Sequence, residues 1–309
     1  MTEPLLRRLK ARGERLTVGA LPWVAPVYQA MPHVDEVIAF PFQHGGLQWH
    51  ARRKLGQQLH GQFEAAYVLP NSLKSALLPF LASIPKRVGY LGEARVGLLT
   101  HRLRNPKAKP PMVAFYSALS GEAGIEQDQP ALSLPDADIA AAVRKHGLQR
   151  GGYVVIAPGA EYGPAKRWPH FGAFAALVNQ PVLLLGSAKE AELCEAIGAQ
   201  APQQCRNLAG KTSLLEAFAL IAGAGNVVSN DSGLMHVAAA FGVPQVALFG
   251  SSSPLHTPPL NAHAKVVWLK QDPDYLPPLD CSPCFERECP LGHFRCLTDV
   301  SPQRVHALL

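Results

Sequence analysis

Hydrophobic and polar positions fall into two rhythms along this chain. Short runs rich in β-branched and aliphatic residues predict strands: "LTVGA" at 16 to 20, "AAYVLP" at 65 to 70, "KRVGY" at 86 to 90, "YVVIAP" at 153 to 158, "PVLLLG" at 181 to 186, "NVVSN" at 226 to 230, "QVALFG" at 245 to 250 and "KVVWL" at 265 to 269. Between them, segments 46 to 60, 71 to 83, 168 to 178, 187 to 199 and 212 to 224 place their apolar residues on one helical face. Buried strands alternating with amphipathic helices form parallel, doubly wound α/β sheets, because each crossover helix covers the sheet that it connects. A helix from about 136 ends at Gly147, and the polar "QRGG" then precedes a fresh apolar strand. The pattern predicts two Rossmann-like domains, 1–150 and 151–309, facing a cleft.

The opening is out of order for this class. "MTEPLLRRLKARGERLTVGALP" reads as a helix, with Leu5, Leu6 and Leu9 on one face and Gly13 at its C-terminal turn, and only then a strand. An α/β domain normally starts with a strand, since a helix needs a sheet to pack against. The first strand of the N-terminal sheet is therefore expected to be missing, leaving "LTVGA" and "AAYVLP" with a gap or an unprotected edge. If the helix is a legitimate start, Thr2 is its expected cap, with Pro4 in the first turn.

Composition narrows the class. With 309 residues, 48% hydrophobic and 17% charged, the chain can bury two ordinary cores. It has no run of about 18 uninterrupted apolar residues and no apolar leader, which predicts a cytoplasmic protein. A formal net charge of +6 favours anionic partners. Without a zinc-finger or RNP-type motif, phosphorylated small molecules or an anionic membrane surface fit better than nucleic acid.

Two loops carry chemistry. In "VVIAPGAEYGPAKRWPHFGAFAAL" a strand ends at Ala157, Gly159 and Gly163 follow, and a helix is expected from Trp168 or Pro169. Glycines admit a ligand close to the backbone, a helix start presents unpaired N–H groups, and Lys166 adds a mobile positive charge, a combination suited to a diphosphate. The loop is neither a Walker motif nor a GxGxxG fingerprint, and a plain Gly/Pro-rich connection stays open as a reading. In "GAGNVVSNDSGLMHVAAAFGVPQVALFG" a strand delivers Asp231, Ser232 and Gly233 to the head of a helix, with Asp231 as expected N-cap and His236 in the first turn. The Ser-Gly pair clears that helix start for a phosphate, and His236 can donate a hydrogen bond to it.

These motifs, "PGAEYGPAKRWP" and "NDSGLMHVAAAFGVPQVALFG", together with "LPNSLKSALLPF" and "IPKRVGY", resemble the ADP-heptose:lipopolysaccharide heptosyltransferases, most closely their type II members, over essentially the whole chain. The resemblance implies a GT-B architecture and an inverting glycosyl transfer that needs no metal or other cofactor. It implies ADP-L-glycero-D-manno-heptose as donor and, as acceptor, the heptosylated Kdo-lipid A core of lipopolysaccharide at the inner membrane surface. At matching positions Lys166 would neutralise the diphosphate, with Asp231, Ser232, Gly233 and His236 around the phosphates and heptose. Glu190, in "GSAKEAE", would hold the adenosine ribose, and Thr212, in "GKTSL", would line the nucleotide pocket. Lys166 and His236 would act in catalysis by stabilising the charge on departing ADP.

On the acceptor side, Lys74, Arg87 and Arg95 lie near predicted strand ends of the N-terminal half, where the acceptor's phosphates and carboxylates are expected. Members of the family begin with an apolar strand and a Gly-Asp turn before a helix like "MTEPLLRRLKARGE", and that aspartate is the expected general base. No residue of this sequence takes that role by resemblance, so an incomplete first domain with impaired transfer is expected. A related transferase with another acceptor and a non-catalytic nucleotide-sugar binder stand as alternatives.

The segment "CSPCFERECPLGHFRC" brings Cys281, Cys284, Cys289 and Cys296 close in sequence, with His293 among them. The first pair has the spacing of a metal knuckle, but the second does not, so either a small structural zinc site or a loop of reduced thiols fits. Cys194 and Cys205 read as ordinary core or surface residues.

Overall fold

The computed structural model describes the chain except residues 44, 109, 126 and 127. It forms two compact units, Met1–Gln29 with His33–Asp128, and Ala30–Pro32 with Gln129–Leu309. The division falls between Asp128 and Gln129 rather than near the expected 150. Packing explains the difference. The helix Asp136–Lys145 buries Ile139, Ala142 and Val143 and lies against the helix Leu214–Ala222 of the second unit. Lys145 and His146 both reach Glu216, at 2.8 and 3.0 Å.

In the first unit, β1 (Thr17–Ala20) pairs in parallel with β2 (Glu36–Ala39). Separately, β3 (Ala65–Val68), β4 (Lys86–Tyr90) and β5 (His101–Leu103) form a parallel three-stranded sheet. Among the described residues no ladder joins β1 to β3, so the single sheet of a Rossmann-like half is divided where the sequence pattern left a gap. The opening helix, Glu3–Ala11, buries Leu5, Leu6 and Leu9 as its periodicity requires, and the chain leaves it through Gly13 at φ +84°. Thr2 makes no side-chain cap bond, contrary to expectation. Its backbone is already near-helical, φ −89° and ψ −11°, whereas a capping hydroxyl needs an extended backbone to reach the first free amides. Arg8 and Arg12 anchor the helix instead, through Asp128 at 2.7 Å and Glu122 at 2.5 Å.

In the second unit, β6 (Val154–Ala157), β7 (Val182–Leu184), β8 (Cys205–Asn207), β9 (Asn226–Asn230), β10 (Gln245–Leu248) and β11 (Ala264–Val267) form one parallel sheet, in the order β11-β10-β9-β6-β7-β8. β6 and β10 are buried along their whole length, as strands covered on both faces must be. Trp168, Phe171 and Phe174 pack with Val154, Ile156, Val182 and Leu184 in the core. The helix expected over 168 to 178 is confined to Phe171–Ala175. Pro169 disfavours helical backbone at Trp168, whose N–H donates to Asn230 Oδ1 at 3.0 Å instead. From β6 the chain runs outward to β7 and β8, then returns to β9 on the other flank of β6. Loops after β6 and β9 therefore part at the carboxyl edge of the sheet, the switch point at which α/β proteins bind ligands.

Candidate functional site

Two chain segments meet at this switch point because one buried amide holds both. Asn230, fully buried at the end of β9, donates to Pro158 O at 2.7 Å and accepts the Trp168 N–H at 3.0 Å. The loop between those two partners carries Lys166 in a short 3-10 turn, Pro164–Lys166. Lys166 Nζ meets Asp231 Oδ2 at 2.5 Å, and Thr257 Oγ1 reaches the other carboxylate oxygen at 3.4 Å. Tyr162 lies beside the ammonium group, its ring centre 5.2 Å away. Asp231 is thus the counter-ion of Lys166 and not the expected N-cap. Ser232 occupies the cap position of the helix Gly233–Ala240, with an extended backbone, yet its side chain makes no cap bond.

The Ser232 hydroxyl is buried and without a hydrogen-bond partner. Buried hydroxyls are normally satisfied, so an orphan at the head of a helix fits an incoming acceptor group such as a phosphate oxygen. Open space surrounds Gly233. His236 lies on the same helix, and burial pushes its pKa down to about 4, so the ring is neutral at physiological pH and able to donate one hydrogen bond.

Glu190 closes the 3-10 turn Ala188–Glu190 that follows β7. Its Oε2 accepts from Ser187 N at 2.7 Å and Ser187 Oγ at 3.0 Å, closing a capping box. Two glycines leave it room: a Cβ on Gly159 would lie 1.5 Å from Oε1, and one on Gly186 2.8 Å from Oε2. Gly210 sits as close to Ala188, where a Cβ would be 2.8 Å from its Cα, which brings the turn at 210 to 212 with Thr212 beside the Glu190 turn.

The N-terminal candidates divide. Lys74 Nζ donates to Gly45 O at 3.2 Å, one of the three donors of its ammonium group. Arg87 and Arg95 are turned inward, against the expectation that they await an acceptor. Arg87 donates to Leu98 O at 2.7 Å and Ile84 O at 2.5 Å. Arg95 is fully buried and binds Pro70 O at 2.7 Å, Asn71 Oδ1 at 3.2 Å and Tyr90 O. Pro70 and Asn71 follow β3 and Tyr90 ends β4, so only the fold brings the partners of Arg95 together. Asn230 and Thr257 were not legible as site residues, because a strand-end Asn and a loop Thr carry no local signature. The four C-terminal cysteines line a separate small cavity together with Ala165.

Comparison with known proteins identifies the family. Residues 52–295 match glycosyltransferase family 9 (heptosyltransferase). Lipopolysaccharide heptosyltransferase 2 of Escherichia coli (strain K12) is 41% identical over 329 residues, covering 99% of this chain and 92% of its own. Lipooligosaccharide heptosyltransferase 2 of Haemophilus influenzae is 39% identical, covering 87% of this chain and 84% of its own. The solved structure of E. coli ADP-heptose lps heptosyltransferase II matches with a TM-score of 0.84 at 38% identity, covering 99% of this chain and 92% of that one. A glycosyl transferase family 9 structure from Veillonella parvula, at 21% identity and a TM-score of 0.76 over 86% of this chain and 81% of that one, shares the fold. A parallel α/β fold shared with a solved heptosyltransferase, a family match over residues 52–295 and identity sustained along the whole chain establish that this protein belongs to glycosyltransferase family 9, the heptosyltransferases.

Proposed function

We propose that the chain transfers heptose, with inversion, from ADP-L-glycero-D-manno-heptose to the heptosyl-Kdo-lipid A inner core of lipopolysaccharide. The observation that carries this reading is the group formed by Lys166, Asp231, the orphan Ser232 hydroxyl and His236 at the head of one helix. As the acceptor hydroxyl oxygen bonds to the anomeric carbon and releases its proton to solvent, the bond from that carbon to the diphosphate breaks and negative charge grows on ADP. Lys166 exchanges Asp231 for the diphosphate, while Ser232 and His236 donate hydrogen bonds to it. Such donors stabilise the transition state more than the ground state and require no metal for that step. Glu190 accepts from the adenosine ribose, with Thr212 alongside, and Lys74 meets an acceptor phosphate.

The acceptor is anchored in lipid, so we place the reaction on the cytoplasmic face of the membrane, where a net charge of +6 favours an anionic surface. Among the described residues no helix is long and apolar enough to cross it. The test is incubation of the purified chain with ADP-heptose and lipopolysaccharide truncated after its first heptose. A mass gain of one heptose with release of ADP is expected. ADP binding without any gain on this acceptor, or gain only on a heptose-free acceptor, would overturn the assignment.

A further inference from the structure

We propose that Cys281, Cys284, Cys289 and Cys296 bind a single thiophilic transition-metal ion, zinc or iron, which pins the C-terminal loop to the loop carrying Lys166. The four sulfurs belong to a stretch, 272 to 296, whose residues up to 294 contain neither helix nor strand. Irregular segments of that length are uncommon inside a compact domain unless something other than backbone ladders orders them. All four cysteines line one cavity and none is disulfide-bonded. Its room is about 20 Å³, enough for one occupant of water size and therefore for one ion rather than a cluster. Gly250 forms part of the wall, and a Cβ there would stand 3.2 Å from Cys296 Sγ.

Donors stand beside the sulfurs of Cys289 and Cys281. Phe294 N donates to Cys289 Sγ at 3.5 Å, across a turn made possible by Gly292 at φ +69°. His293 Nδ1 accepts the Arg295 N–H at 3.0 Å, so the ring proton sits on Nε2, 4.0 Å from Cys281 Sγ. His293 is thus a supporting donor to a sulfur and not a ligand, the arrangement that orients metal-bound groups. Four thiolates brought together would repel one another unless a cation lay between them, and four sulfurs in a tetrahedron select zinc or iron. Among the described residues no three such side chains stand ready-made for an ion, so the sulfurs lining the wall turn inward when it binds.

The position gives the ion a role distinct from the transfer reaction. Ala165, next to Lys166, is in the cavity wall, and its N–H donates to Arg287 O at 3.0 Å. Tyr162 Oη donates to Phe285 O at 2.6 Å, and Phe285 N donates to Ser251 O at 2.7 Å. An ion holding the cysteine loop therefore backs the segment that presents Lys166.

Elemental analysis and X-ray absorption of the full chain, purified without chelators from medium containing zinc and iron, test the proposal. About one equivalent of one metal with four sulfur neighbours is expected, at about 2.3 Å if the metal is zinc. A colourless protein identifies the zinc arm and visible absorbance from a mononuclear iron site the other. Cys284→Ser and Cys289→Ser lose the metal, while Cys205→Ser, outside the cavity, keeps it. Should the variants not fold, cobalt titration of chelator-stripped protein supplies the readout, with tetrahedral thiolate bands saturating at a single equivalent. Absence of those bands with four freely reacting thiols, or a multi-iron cluster, overturns the site. ADP affinity is expected to fall several-fold on stripping; an unchanged affinity overturns the pinning role.

Discussion

Lys166 and Asp231 meet at 2.5 Å in a place where the fold alone gains little from them. A buried ion pair roughly offsets its own desolvation, so it is weak as a stabilising device and useful as one that a diphosphate can open. Lys166→Ala should weaken ADP binding by about 1.5 to 3 kcal/mol, the range for hydrogen bonds to charged groups. Calorimetry finding wild-type affinity in a folded variant would remove Lys166 from the site. His236 gives a pH prediction. Burial lowers its pKa from 6.5 to about 4, so the unfolded chain takes up a proton that the folded chain refuses. Above pH 6.5 this group has no effect, and as pH falls from 6.5 towards 4 stability declines. A bound diphosphate raises the same pKa, so ADP binding should take up protons and tighten within that window. His236→Gln should flatten both trends, as followed by thermal melts and by calorimetry in buffers of different ionisation enthalpy.

At the scale of elements, the loop after β6 is held from two sides, and its two glycines test each side separately. A Cβ at Gly159 meets only the carboxylate tip of Glu190, a flexible group. Gly159→Ala should therefore push Glu190 off Ser187, cost about 1 kcal/mol in lost capping, and weaken ADP binding. Intact ADP affinity in that variant would detach Glu190 from the nucleotide. Gly163 differs, since its φ is +152° and a Cβ there would lie 2.4 Å from Arg287 O, a backbone atom that cannot step aside alone. Gly163→Ala should destabilise the chain by about 1 to 3 kcal/mol in denaturant titration, the range for enforced backbone strain. Arg95 belongs to this scale as well, because its guanidinium ties the loops after β3 and β4 to each other. Both glycines were visible as loop glycines in the sequence; what each makes room for was not.

Across the whole molecule, every residue proposed for the donor site lies in the second unit; among the described residues that unit has one continuous six-stranded sheet, while the first has sheets of two and three strands. Strand edges without a partner forfeit ladder hydrogen bonds and leave less surface covered. Scanning calorimetry should therefore resolve two transitions, with the first unit melting earlier. ADP should raise only the later one, by about 2.7 kcal/mol at a hundred times its dissociation constant. A single transition, or an equal shift in both, would contradict this division.

Local pattern was enough for part of this protein. Period-two and helical spacing report which face of a segment is buried, so the sequence alone determined the α/β class, eight strands and the two loops bearing Lys166 and Asp231. Its pattern also put no strand between "LTVGA" and "AAYVLP" that could join them, and among the described residues no ladder joins β1 to β3. The short strands β2, β5 and β8 were decided by tertiary structure, since three or four residues hold an extended form only against a neighbouring ladder. So was the unit boundary before Gln129, set by a helix packing on another about 70 residues away. Arg87 and Arg95 look like surface cations in sequence, and become struts because carbonyls from other loops converge on them. Lys166 and Asp231 are 65 residues apart, and their pairing depends on the β6–β9 ladder and on Asn230. Which segments pair is a non-local free energy, and no window of sequence contains it.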